Sequence, residues 1–158
     1  MSLADIDDAE GYIVIFTCNT CPYSVMYEDR IIEANNKYAP MGYPVIAINP
    51  NDVGRRPGDS FAEMKVRAKE KGFDFPYLYD ETQEVAVAYG ATRTPHVYLL
   101  DKSLKVQYIG AIDNNASDAQ EASEFYLSDA ISALKSGNKP SPDFTKAVGC
   151  TIKWKPTN

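Results

Sequence analysis

One histidine, one tryptophan and three cysteines in 158 residues leave little material for a metal centre or a disulfide framework. Two cysteines close together and one far away do not make the scaffold of a small secreted protein. Basic residues are also scarce: 16 Lys and Arg face 22 Asp and Glu. The formal charge of −6 argues against nucleic acid or an acidic membrane surface as partner. Lys153-Trp154-Lys155 is the one basic stretch of note, and it is too short to reverse that balance. No run approaches the ~20 apolar residues of a spanning helix, so no membrane span is expected in this chain. No leader is visible, because Met1-Ser2-Leu3 passes straight into Asp5-Ile6-Asp7-Asp8. The first three residues can be a cloning remnant, in which case a natural leader would have been removed. The compartment stays open between cytoplasmic and periplasmic or otherwise extracytoplasmic. Repeats and low-complexity tracts are absent as well.

What is present is one domain's length of chain, 44% hydrophobic and sufficient for a continuous core. Four apolar runs have strand character: Ile13–Phe16, Val45–Ile48, Val97–Leu100 and Val106–Ile109. The first two are continuous rather than alternating, as expected of parallel strands covered on both faces. Between them Tyr27, Ile31, Ala34 and Tyr38 fall on one helical stripe, which Pro40-Met41-Gly42 ends. Ser60 and Glu63 fit a capping box for a second helix with Phe61, Met64 and Ala68 inward. Phe75–Tyr79 reads as a short extended piece. A brief helix follows with Val85, Ala88 and Tyr89 on one face and Gly90 as its stop. Asp101-Lys102-Ser103 joins the last two strands as a hairpin. The final helix is expected to begin near Asp118, bury Leu127, Ile131 and Leu134, and stop at Gly137.

Cys18-Asn19-Thr20-Cys21 sits where the first strand gives way to the helix that begins at Pro22. A thiol at such a junction meets unpaired backbone N–H groups and the positive end of the helix dipole. Both favour the thiolate, the reactive form. Cys21, one turn further on, can close a disulfide with Cys18. A zinc site built from Cys18, Cys21, Cys150 and His96 is the competing idea. Zinc pairs usually sit in a tight knuckle rather than at the mouth of a long crossover helix, so no metal is expected.

The order β, C-x-x-C, α, β, α, then Thr94-Pro95, a hairpin and a closing helix resembles the thioredoxin fold. The closer resemblance is to its redoxin branch, the TlpA/ResA-like and AhpC/TSA-related peroxiredoxin-like proteins. Phe16-Thr17-Cys18-Asn19-Thr20-Cys21-Pro22-Tyr23 and Gly149-Cys150-Thr151-Ile152-Lys153-Trp154-Lys155 are similar to signatures of the latter, and the likeness spans roughly residues 11–155. It implies an α/β fold in three layers, a central mixed sheet flanked by helices, over residues 11–137. Residues 1–10 would then be an N-terminal segment and 138–158 an irregular tail packed on the domain. It further implies Cys18 as attacking thiolate, Cys21 as resolving thiol, and a cis Thr94-Pro95 bond beside them. An X-Pro bond adopts cis at a cost of only about 0.5–1 kcal/mol. The backbone of Thr94 would then be free to pair with an incoming extended peptide. No cofactor is implied. The partners would be a disulfide or dithiol protein and an unidentified thiol reductant or oxidant.

Some residues depart from the ordinary thioredoxin pattern. Only Thr17 separates Phe16 from Cys18, and Ile13, Val14 and Ile15 supply no acid, so proton transfer at Cys21 needs water or another base. Cys150 can resolve a sulfenic acid on Cys18 or anchor the tail as a small hydrophobe. The anchor is preferred, because Cys21 already supplies a nearby resolver. His96 is either a base near the thiols or a surface residue starting a strand. Arg93 can lower a thiol pKa or remain a solvated charge, and Arg55-Arg56 read as solvent-facing. Trp154 is expected to pack the tail.

Three functions follow. The first is a thiol–disulfide oxidoreductase working through Cys18 and Cys21. The second is a thiol peroxidase with Cys18 as the peroxide-attacking residue. Peroxiredoxins carry a Thr three residues upstream and a preceding Pro, whereas Ile15 stands here and no proline precedes Cys18. The third is a non-catalytic binding module that kept the fold.

Overall fold

Ile13-Val14-Ile15-Phe16 carries no polar side chain because it becomes the middle of the sheet, with a neighbour on each side. In the computed structural model, which describes residues 1–157, the elements follow in chain order. They are β1 (Gly11–Phe16), α1 (Pro22–Tyr38), β2 (Val45–Asn49), α2 (Phe61–Lys71), β3 (Tyr77–Tyr79) and α3 (Glu84–Tyr89). Then come β4 (Arg93–Thr94), β5 (His96–Asp101), β6 (Val106–Gly110), α4 (Tyr126–Lys135) and β7 (Cys150–Thr151). The main sheet has the order β3-β2-β1-β5-β6, and β4 pairs with β7 in a separate two-stranded piece. β1 runs parallel to β2 and antiparallel to β5, so the sheet is mixed. The fold is α/β and thioredoxin-like.

Every residue of β1 and β2 is buried, as the apolar runs Ile13–Phe16 and Val45–Ile48 require, and the polar Asn49 that ends β2 is buried with them. Ile13 and Ile15 face a cluster completed by Tyr27 and Ile31 of α1 and Leu127 and Ile131 of α4. Val14 and Phe16 face the other way, toward Ala86, Tyr98 and the tail residue Ile152. The period-two alternation of a strand thus builds two cores from one segment. The α1 stripe of Tyr27, Ile31, Ala34 and Tyr38 is buried as its spacing predicts. α1 is further tied down where Arg30 Nη1 meets Asp113 Oδ2 at 2.8 Å, a pair in which both side chains are almost covered.

Four local expectations are corrected. Ser60 does cap α2, accepting the Glu63 N–H, but Phe61 lies at 53% exposure and only Met64 of the expected stripe is fully buried. At the first position of a helix a side chain can swing past the end of the core. In α3 the buried residue is Ala86, with Val85 and Ala88 outward, because a six-residue helix covers the sheet with one small contact. Asp118 caps a separate 3₁₀ turn, Ala119–Glu121, rather than the last helix, which starts at Tyr126. The side chain of Asp118 accepts the Gln120 N–H and so satisfies a local turn. Ile152, not the half-exposed Trp154, is the apolar anchor of the tail.

Candidate redox site

Cys21 is the N-cap residue of α1, and Pro22 follows at the first helical position, where its missing N–H costs nothing. This start turns the Cys21 N–H toward Cys18, whose Sγ accepts it at 3.3 Å. Two rotatable hydroxyls complete the surroundings of that sulfur: Thr94 Oγ1 at 3.5 Å and Ser24 Oγ at 3.7 Å. Thr94 comes from a strand 76 residues away, and its peptide bond to Pro95 is cis. Cys18 is buried, with 2% of its surface exposed.

Cys21 is disulfide-bonded to Cys150 across a Cα–Cα distance of 6.1 Å, and Cys18 is the free cysteine. This corrects two expectations. The C-x-x-C pair is not closed on itself in this state, and Cys150 is not merely a hydrophobic anchor. The cause is the pairing of β7 with β4, which sets Cys150 opposite Thr94. Cys21 Sγ lies 3.3 Å from the carbonyl oxygen of that same Thr94. Strand pairing therefore delivers a third sulfur to a point 129 residues away in sequence.

Asp59 is the residue that sequence reasoning missed. Fully buried, it accepts the Asn19 N–H on Oδ1 at 2.7 Å and the Thr20 hydroxyl on Oδ2 at 2.7 Å. The side-chain amides of Asn49 and Asn51 also donate to it, at 3.1 and 3.0 Å. A buried carboxylate with four donors fixes both residues between the cysteines. Asn19 is held from its other end too, because its Oδ1 accepts the Tyr77 hydroxyl at 2.8 Å. Burial first, and the acidic groups beside it second, push the Tyr77 pKa well above the ordinary tyrosine value, so its proton stays in place to be donated. The available signal was three asparagines, at positions 19, 49 and 51, at the ends of apolar runs. Their amides need a shared acceptor once buried.

The remaining candidates are placed elsewhere. His96 is buried against Tyr98, with ring centroids 4.9 Å apart, and Nδ1 accepts the Thr92 N–H. Burial, and secondarily the charge of Arg93, lower its pKa to about 4. It is thus neither a surface residue nor hydrogen-bonded to Cys18 or Cys21. Arg93 pairs with Thr151 across the small sheet. Arg55 and Arg56 are both exposed as expected, and Arg55 Nη1 donates to the Trp154 carbonyl at 3.3 Å. With Cys21 and Cys150 bonded and His96 turned onto Tyr98, the four potential zinc ligands are not gathered. Among the described residues no group of three or more His, Cys, Asp or Glu is arranged to hold a metal ion, and no helix is long and apolar enough to cross a membrane.

The AhpC/TSA family model matches residues 1–109. The crystal structure of an uncharacterized conserved protein from Geobacillus kaustophilus is 39% identical and superposes with a TM-score of 0.90, over 99% of this chain and 83% of that one. A hypothetical protein from Sinorhizobium meliloti 1021 is 31% identical with a TM-score of 0.92, over 99% and 86%. A thiol:disulfide interchange protein of the thioredoxin family from Chlorobium tepidum superposes with a TM-score of 0.59 at 19% identity, over 75% and 79%. That last likeness is one of fold. No match is found among curated proteins.

Two measurements test this description. Asp59→Ala strands the buried amides of Asn49 and Asn51, releases the Asn19 N–H, and is expected to lower stability by about 1–3 kcal/mol in urea titration. It should also speed amide exchange at Asn19, while unchanged exchange there would remove Asp59 from its positioning role. For His96, the unfolded chain takes up a proton near the ordinary value of 6.5 as pH falls, and the folded chain only near 4. Stability is therefore expected to drop between those pH values and to be indifferent to this group above them. The part of that slope due to His96 should vanish in His96→Gln, read by melting temperature against pH.

Proposed function

The chain belongs to the AhpC/TSA family, and we propose that it is a thiol–disulfide oxidoreductase in which Cys18 attacks and Cys21 resolves. The observation that carries this reading is the Cys18 sulfur receiving a main-chain N–H at the start of a 17-residue helix, next to a cysteine already engaged in a disulfide. The N–H and the helix end stabilise negative charge at that point. The Thr94 and Ser24 hydroxyls can turn their protons toward an anionic sulfur or their oxygens toward a thiol. The thiol:disulfide interchange role in the description of the Chlorobium protein supports the same reading.

In the reducing direction both Cys18 and Cys21 begin as thiols. The Cys18 thiolate attacks one sulfur of an external disulfide. That bond breaks, one substrate thiolate leaves and takes a proton from water, and Cys18 holds the other half as a mixed disulfide. Cys21 loses its proton and attacks the Cys18 sulfur, expelling the second substrate thiolate. The protein is left with a Cys18–Cys21 disulfide, and two electrons have passed to the substrate. Run backward, the same steps oxidise a dithiol. Asp59 keeps Asn19 and Thr20 in place throughout, so that the two sulfurs meet with little reordering of the chain.

Family membership favours a peroxidase as the second reading, with Cys18 attacking hydrogen peroxide to give a sulfenic acid and hydroxide. Ile15, buried in the core three residues upstream, offers no hydroxyl to orient the peroxide. Both readings are tested together. Wild type is expected to accelerate reduction of insulin disulfides by dithiothreitol, and Cys18→Ser to lose at least about 100-fold of that rate. Inactivity of the wild type toward a range of disulfides, with stopped-flow oxidation of Cys18 by peroxide well above the rate of free cysteine, would reverse the preference.

A further inference from the structure

β7 covers the edge of β4 that, on the oxidoreductase reading, an extended substrate peptide would use. In the small sheet Cys150 stands opposite Thr94 and Thr151 opposite Arg93. Thr94 is the residue against which an extended peptide would form its strand pairing beside the thiols. The protein's own tail lies there instead, joined by a disulfide to Cys21.

This seat is built into the fold. At Gly149 an added Cβ would fall 2.7 Å from the carbonyl carbon of Thr94 and 3.1 Å from Pro95 N, so only glycine lets the tail lie flat on that peptide. Beyond the strand, Ile152 is buried and donates its N–H to Thr92 O at 3.1 Å. Lys153 N donates to Asn51 Oδ1 at 2.9 Å, and Lys153 O accepts from Asp52 N at 2.8 Å and Gln83 Nε2 at 3.0 Å. The tail is therefore moored downstream whether or not Cys150 is bonded, and only the stretch over Thr94 depends on the disulfide. A small cleft lined by Thr20, Arg56 and Lys153 opens on Cys21 and Cys150, whereas Cys18 does not line it. From outside, the bond is reached first.

Resting on the oxidoreductase reading above, we propose that β7 is a tethered occupant of the substrate-peptide edge, locked by the Cys21–Cys150 bond and released when Cys18 exchanges into that bond. In the exchange the Cys18 thiolate attacks Cys21 Sγ and the Cys21–Cys150 bond breaks. A Cys18–Cys21 bond forms, and Cys150 leaves as a thiolate that takes a proton from water. No electrons are gained or lost overall. Two residue pairs of strand, without the covalent link, then compete with an incoming peptide for the same edge. The downstream mooring keeps the local concentration of the tail high, so closure is reversible.

The test uses the full chain in three forms: wild type with Cys21–Cys150 bonded, wild type reduced, and Cys150→Ser. Amide hydrogen exchange is followed at Cys150 and Thr151, the stretch over the β4 edge, and across β1. Loss of the bond is expected to speed exchange in the tail by at least about tenfold and leave β1 unchanged. Equal protection in all three forms overturns the lock, even if disulfide turnover is normal. In parallel, capture on Cys18 is timed for a peptide disulfide and for a small non-peptide disulfide. Cys150→Ser should accelerate peptide capture at least about tenfold more than small-disulfide capture, relative to the bonded wild type. Equal acceleration of both means the tail only shields the sulfur, which overturns competition for the edge. If the tail opens on reduction but neither disulfide reacts with Cys18 in any form, the oxidoreductase reading falls, and the substrate role of this edge falls with it.

Discussion

The double engagement of β1 is the constraint from which the thiol site follows. Its register sets Phe16 beside Ile48 on one side and beside His96 on the other. Three chain segments consequently leave the sheet at one end: the cysteine loop after Phe16, the asparagine-bearing loop after β2, and Thr94-Pro95 before β5. Nothing in the local sequence of any one of them specifies this meeting. It is fixed by strand alignment, and a slip of one residue would turn every buried β1 side chain to the wrong core.

Electrostatic order at that end of the sheet comes from a single buried carboxylate rather than from an ion pair. Asp59 gathers four donors, two from the cysteine loop and two from the end of β2 and the loop after it. Such a network is stable only when fully satisfied, since any donor left over inside the protein costs more than the bond it would have made. The two residues between the cysteines carry no charge, and their part is to be held. Asn19 is gripped at its backbone by Asp59 and at its amide oxygen by Tyr77.

Much of this was legible in advance. The α/β order, the covered parallel strands, the α1 stripe and the placement of Cys18 at a strand-to-helix junction all follow from periodicity and punctuation, which are local properties. What escaped was non-local. The partner of Cys21 could not be read because β7 is two residues long and carries no strand pattern of its own. Its pairing is decided by the edge it lands on. Asp59 was hidden just beyond Arg55-Arg56, which read as solvent-facing, because burial of a loop carboxylate depends on donors contributed by other segments. His96 was misjudged for the opposite reason. It opens an apolar strand, and the burial of that strand governs a ring weighed only as a base near the thiols or as a surface residue. At Phe61 and in α3, amphipathic spacing overstated burial in elements too short or too peripheral to cover much sheet.

A bond that spans 129 residues staples nearly the whole domain into one loop. In the chain-entropy picture a closure of that size removes about 4–5 kcal/mol of freedom from the unfolded chain. Reciprocity then binds fold and electron transfer: whatever the bond contributes to holding the domain together, the folded domain returns as resistance to reducing the bond. Oxidising power and mechanical integrity are therefore two readings of one free energy, and a partner that withdraws the first also slackens the second.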